Sequence, residues 1–165
     1  MKMNPQYWAA YSFFISALII TIRTDLEKML ISRFVSLFLI PLVFIASYFR
    51  LIPTPILSSF LGTIGGAGIL FVVSRLFYIL RKKEGLGQGD IELLGFIGSF
   101  LGLLGCWMSL FIGSFIGSAI GILFFIKKRT FSSVKIPFGP FLALGALSYL
   151  FFEKTILFLL LPNLN

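Results

Sequence analysis

Asp25 and Asp90 are the only aspartates among the six acidic residues of this 165-residue chain, which has no histidine and one cysteine, Cys106. Each aspartate stands at the edge of an apolar run. A carboxylate in that position costs free energy, about 2.5 to 3.5 kcal/mol at the centre of a membrane helix and less toward an end, so such groups tend to be paired or functional. The chemistry open to two carboxylates is hydrolysis by general acid and base. One ionised group takes a proton from water while its protonated neighbour donates to the carbonyl under attack. Repulsion between like charges keeps one shared proton on such a pair. On position alone, two loop charges facing head-group water remain the equal alternative. The missing histidines and the lone cysteine leave no zinc-ligand set and no Cys/His or Ser/His arrangement, so neither a metal nor a cofactor is expected.

The surroundings of Asp90 add to this reading. Gly85, Gly87 and Gly89 precede it in Gly85-Leu86-Gly87-Gln88-Gly89-Asp90, giving the backbone room to turn and a substrate strand room to approach. The Lys-Ser/Thr of a phosphate-binding loop does not follow, and no strand precedes, so a nucleotide site is disfavoured.

The elements that must position this pair are membrane helices. The chain is 58% hydrophobic and 12% charged, with a mean hydropathy of +1.03. That is far from the balance of a soluble domain, and a domain this small has no interior large enough to hide so much apolar surface. The expected fold is all-α and polytopic, one transmembrane domain over residues 1–165 with about six spans. They fall near 7–22, 34–49, 56–80, 91–104, 106–126 and from Pro137 onward, with Pro53-Thr54-Pro55 breaking the chain before the third and a tight reversal near Gly105. Strand-like alternation is absent, which disfavours a barrel. Glu153 and Lys154 interrupt the last helix, and hydropathy leaves open whether residues 155–161 continue it. Glycines four apart, Gly62 and Gly66, Gly98 and Gly102, then Gly113, Gly117 and Gly121, read as close helix packing without a catalytic role.

The net charge of +8 comes from clusters between apolar runs and points to membrane orientation and anionic lipid, not nucleic acid. Arg23, Lys28 and Arg33 mark the first loop, Arg81 to Lys83 the third, and Lys127 to Arg129 with Lys135 the fifth. The second loop has only Arg50, and the fourth has no basic residue. This asymmetry places the odd loops, and with them both aspartates, on the cytoplasmic side. Glu27, Glu84 and Glu92 either meet a basic substrate or neutralise nearby Lys and Arg, and the second is favoured because exposed pairs contribute little.

Three ordered motifs carry a family resemblance. The stretch from Gly85 through Asp90, Ile91, Glu92, Leu93 and Leu94 to Gly102 resembles the second aspartate motif of type IV prepilin peptidases. Ile136-Pro137-Phe138-Gly139-Pro140-Phe141-Leu142-Ala143 resembles the start of that family's last helix, and Asp25, followed by Leu26 and Ile31, its first catalytic aspartate. The resemblance implies an aspartic endopeptidase of the Gly-x-Gly-Asp type in a bacterial inner membrane, cutting basic leaders from prepilin-like precursors of type IV pili or type II secretion at the cytoplasmic face. It implies Asp25 and Asp90 as the catalytic pair, with Gly87, Gly89, Glu92, Pro137, Gly139 and Pro140 lining the active-site loops, and prepilin-like substrates and the bilayer as partners. Presenilin and signal-peptide peptidase pair the element with Tyr-Asp and Pro-Ala-Leu, whereas here Thr24 precedes Asp25 and the late motif is Pro-Phe-Gly-Pro. The cysteine-rich, zinc-binding insert tied to N-methylation in many members has no counterpart here, so methyl transfer is not expected. Ser32 and Arg33 stand where the family often has Pro and Asp or Asn, and Glu92 where it commonly has Lys, which points to altered substrate preference. The competing readings are a small transporter or scaffold binding protons or cations at helix-end aspartates, and a relative that kept the fold without turnover.

Overall fold

The computed structural model describes residues 5–28, 33–82, 87–128 and 137–160. Among these every regular element is helical: a 3-10 turn at Pro5–Tyr7, then α1 (Trp8–Lys28), α2 (Arg33–Tyr48), α3 (Ile56–Arg81), α4 (Gln88–Lys128) and α5 (Gly139–Leu160). Proline sets the start of α3. Pro55 holds an extended conformation at its N-cap, and Ser59 donates its amide to the Pro55 carbonyl at 2.9 Å. The far end closes at Lys82, whose left-handed backbone lets its amide reach the Tyr78 carbonyl at 2.8 Å.

α4 is two helical arms joined at Gly102, where φ is 75° and ψ is −178°. A side chain there would be strained, so the sequence supplies glycine. Cys106 Sγ lies 3.8 Å from the Leu94 carbonyl oxygen. Twelve residues of unbroken helix would hold them about 18 Å apart, so the chain doubles back at this glycine. The reversal expected near Gly105 is thus at Gly102, because only there does the backbone enter the region reserved for glycine. Gly102 therefore makes the turn while also packing closely on α3, against Gly62 and Ser58. The all-α expectation holds among the described residues, with α1 running past its apolar run to Lys28.

Length and apolar composition mark two stretches as able to cross a bilayer, Ile56–Arg81 and Gln88–Leu123. The reversal splits the second, so it does not cross as one rod. α3 also shows which medium it faces. Its buried residues are Ser59, Gly62, Gly66 and Leu70, while Phe60, Leu61, Ile64, Phe71, Val72, Leu76 and Phe77 face outward. Small residues inside and large apolar ones outside is the pattern of a helix solvated by lipid. The protein is built for a membrane.

The first arm of α4 is the centre of the molecule, buried continuously from Leu93 to Phe100. α3 meets it backbone to backbone. A Cβ on Gly62 would run into the Gly98 carbonyl oxygen, and one on Gly98 into that of Gly62. One turn along, a Cβ on Gly66 would stand 2.6 Å from the Leu94 carbonyl oxygen, and at the reversal one on Gly102 would stand 2.6 Å from Ser58 Oγ. These pairings fix an antiparallel register that sets Asp90 level with Leu70. The second arm packs on α5 in the same way, through Gly113 against the Phe141 carbonyl and Gly145 against that of Ser109. Gly121 has nothing within 4 Å of an added Cβ, so among the described residues it does not serve the contact expected of it. α5 continues to Leu160 across a break at Phe152, where φ is −109° and ψ is 15°.

On the other flank, α1 docks through Phe14, whose ring stacks on Phe100 at 4.2 Å and 9° and lies 5.4 Å from Phe96. At the reversal end, Thr54 Oγ1 donates to the Phe100 carbonyl at 2.5 Å and Ser47 Oγ to the Thr54 carbonyl at 2.8 Å, tying the α2–α3 connection to the central arm. Gly98→Ala should destabilise the protein by about 1 to 3 kcal/mol, since the obstructing atoms are backbone. Gly121→Ala should be neutral or gain up to about 1 kcal/mol from helix propensity. Thermal unfolding of both variants in detergent checks the pair, and equal loss in the two would contradict this packing.

Candidate active site

The inner face of α1 follows helical spacing. Tyr11, Phe14, Leu18, Thr21 and Asp25 are three or four residues apart and all buried, so Asp25 continues the stripe that the aromatic contact turns toward the core. It is 5% exposed. Thr21, one turn before it, spends its hydroxyl on the Ala17 carbonyl at 2.8 Å.

Asp90 lies in the first turn of the central arm and is 8% exposed. Its amide donates to the Gly87 carbonyl at 3.2 Å, the Gly87 amide donates in return to its carboxylate, and the Asp25 charge acts directly on it. The structure thus brings the two aspartates of the sequence into one electrostatic unit.

A third element closes the site. The Phe138 carbonyl accepts from the Phe141 amide at 3.0 Å and the Leu142 amide at 3.2 Å, making Phe138 the N-cap of α5 and Gly139 its first residue. The amide of a first residue has no partner within its own helix. Here Gly139 donates that hydrogen to the Asp25 carboxylate. The other Asp25 oxygen, Oδ2, is buried and has no hydrogen-bond partner among the described residues.

Of the remaining expected site residues, Gly87 and Gly139 touch the carboxylates as stated. Gly89 and Glu92 flank Asp90 in the first turns of α4, both half-buried, so Glu92 is not a freely solvated charge. Pro137 is half-buried and Pro140 buried at the start of α5. Glu84, Gly85, Leu86 and Ser32 lie outside the described residues, as do the side chains of Glu27 and Arg33. Phe14 and Thr21 were not singled out from the sequence. Their three- and four-residue spacing to Asp25 was the available signal. Among the described residues no group of three or more Cys, Asp or Glu is gathered as a metal would need.

Buried carboxylates on facing helix ends, each met by a glycine amide, suit proton exchange with a bound water and a carbonyl. A model described as the type IV leader peptidase family matches residues 12–126. The chain belongs to that family. It is similar to a prepilin leader peptidase/N-methyltransferase of Aeromonas salmonicida, with 28% identity over 88% of this chain and 50% of the relative. A protein of the same description from Aeromonas hydrophila is 32% identical over 73% of this chain and 41% of its own length. One from Burkholderia pseudomallei is 37% identical over 56% and 30% respectively. The chain therefore spans about half or less of the curated relatives it matches. No solved structure matches it. The matched region of this family member contains Asp25, Asp90 and the reversal, while Pro137 to Pro140 lie beyond it.

Proposed function

We propose that this peptidase-family protein is a membrane-embedded aspartic endopeptidase, a single transmembrane domain that removes basic leaders from prepilin-like precursors at the cytoplasmic face of the inner membrane. The observation that carries this reading is the meeting of Asp25 and Asp90, buried and electrostatically joined, at helix ends 65 residues apart in sequence. The relatives' description supports the substrate class, and the basic loops flanking both aspartates support the orientation.

The chemistry needs only the pair and a water. One carboxylate removes a proton as the water oxygen bonds to the scissile carbonyl carbon, and the other gives its proton to the carbonyl oxygen. The resulting gem-diol collapses with cleavage of the C–N bond. A proton passes to the departing nitrogen, and the second carboxyl recovers its own. Nothing is left covalently attached to the protein, and one water is consumed.

Asp25→Asn and Asp90→Asn should each lower cleavage of a prepilin-type leader peptide by at least about 1,000-fold, with membrane insertion intact, because an amide keeps the shape and cannot cycle a proton. The double variant should be no worse than either single one, since the two act as a unit. Purified protein in detergent, incubated with a panel of leader peptides, checks this. Retained turnover in either single variant would remove the dyad.

The same assay should be indifferent to EDTA and to Cys106→Ser, as expected from a chain with no histidine and one buried thiol. Inhibition that added zinc reverses would count against a two-carboxylate mechanism. For orientation, single cysteines introduced into the Cys106→Ser background at exposed Lys82 and exposed Leu51 should label from opposite sides. In intact cells an impermeant thiol reagent should reach position 51 and spare position 82 until permeabilisation.

A further inference from the structure

The seam between α1 and α5 has a second end. At the first, the Gly139 amide meets the Asp25 carboxylate, which sets residue 25 of one helix level with residue 139 of the other. α1 ends where α5 begins, so the two run in opposite directions. Fourteen residues back along α1 and fourteen on along α5, Tyr11 and Glu153 therefore come level, about 21 Å from the aspartates. Two further contacts place this end independently. The Tyr11 ring lies edge-on to Phe100, centroids 6.2 Å apart and planes at 65°, and a Cβ on Gly105 would stand 2.8 Å from a Tyr149 ring carbon. Phe100 and Gly105 flank the Gly102 reversal, so the two tyrosines converge there from different helices.

Tyr11 and Tyr149 are buried, and Tyr7 and Glu153 half-buried. A spacing of four residues puts Tyr7 beside Tyr11 on α1 and Glu153 beside Tyr149 on α5. The Glu153 charge reaches both Tyr11 and Tyr149. Three phenol oxygens and one carboxylate are thus gathered with no basic side chain from the elements that form the cluster. α1 has none before Arg23, the second arm of α4 none before Lys127, and α5 none before Lys154, whose side chain lies outside the described residues. Arg50, on the α2–α3 connection, is exposed, and Glu153 makes no ion pair among the described residues. The other five acidic residues of the sequence stand in or beside the α1–α2 and α3–α4 connections, so Glu153 is the one acid toward this end.

A carboxylate on a membrane helix calls for a positive partner. One carboxylate is too little for a divalent ion, which takes six or more oxygens. A primary ammonium suits the cluster better, because its three N–H groups can be shared between a carboxylate and phenol oxygens. The surroundings indicate where that ammonium comes from. Trp8 beside Tyr7, and Phe151 and Phe152 beside Glu153, are exposed aromatic rings of the kind that mark the level of the head groups. We propose that Glu153, with Tyr7, Tyr11 and Tyr149, forms a site for the primary ammonium of a phospholipid head group, that of phosphatidylethanolamine, in the leaflet opposite the aspartate pair. A lipid seated there bridges α1 and α5, the two helices that meet at Asp25 and Gly139.

Native mass spectrometry of the full chain released from detergent tests this directly, with dioleoyl phosphatidylethanolamine, phosphatidylcholine and phosphatidylglycerol offered in equal amounts. Choline keeps the charge without an N–H to donate, and glycerol lacks the charge. Phosphatidylethanolamine should be retained about tenfold better than either, and Glu153→Gln should bring it down to their level. Retention no better than that of the other two lipids, or undiminished in Glu153→Gln, would overturn the site. Millimolar ammonium chloride should leave the lipid in place, and displacement by it would assign the cluster to a free cation instead.

A second measurement needs no variant and decides the matter where Glu153→Gln does not fold. A membrane-permeant carbodiimide joins a carboxylate to an amine held against it, so treatment of the unaltered protein in phosphatidylethanolamine vesicles should yield a Glu153 peptide carrying the lipid as an amide. The same treatment in phosphatidylcholine vesicles should yield none. Absence of lipid-coupled Glu153 from the first sample would overturn the proposal. Leader-peptide cleavage plays no part in either readout, so both stand whether or not the protein is a peptidase.

Discussion

The position of everything in this protein follows from one contact, the meeting of α3 and the first arm of α4 at Gly62 and Gly98, where peptide backbones touch with no side chain between them. Lipid gives apolar helices no reason to prefer each other over the solvent, so association has to come from close packing. Glycine allows it, and the gain in dispersion contacts is largest where nothing larger intervenes. Once that seam is set, Gly102 has only to turn the chain for the second arm to return beside the first and receive α5 through Gly113 and Gly145. The central arm is then enclosed, and the carboxylate at its head is carried inside.

Enclosure is also what gives the carboxylates their chemistry. In water two aspartates this near would both ionise and repel weakly. Away from water their repulsion strengthens and each unsatisfied oxygen becomes costly, so neighbouring backbone amides acquire influence over which one keeps the charge. The glycines beside the pair serve this purpose. Gly87 and Gly139 each bring an N–H to a carboxylate with no side chain of their own beside it.

Much of this was legible in the sequence. The helical class and the rough helix positions follow from apolar runs and turn residues, and the edge positions of Asp25 and Asp90 marked the two carboxylates that the fold buries. Less visible were the features that depend on backbone conformation. Gly102 and Gly105 look equivalent in a string of residues, and only the dihedral angles separate a turn from a packing position. Gly117 and Gly121 continue a regular spacing, yet among the described residues Gly117 meets the Phe141 ring and Gly121 meets no neighbour. The link from Gly139 to Asp25 was hidden for a similar reason: an amide donor has no letter of its own. By contrast, the inward aim of Asp25 was readable from Phe14, Leu18 and Thr21, had helical spacing been followed beyond the apolar run.

The register along the α3 seam also fixes a length. Asp90 lies level with Leu70, and α3 rises a further three turns to Arg81, about 16 Å above the carboxylates. Extended peptide covers that distance in about five residues. A peptide held at the level of Arg81 reaches the pair only if at least that many residues separate the two points. The part of α3 that extends beyond Asp90 thus works as a ruler. For the proposed cleavage it sets a minimum number of residues between a point held at the level of Arg81 and a bond at the two carboxylates.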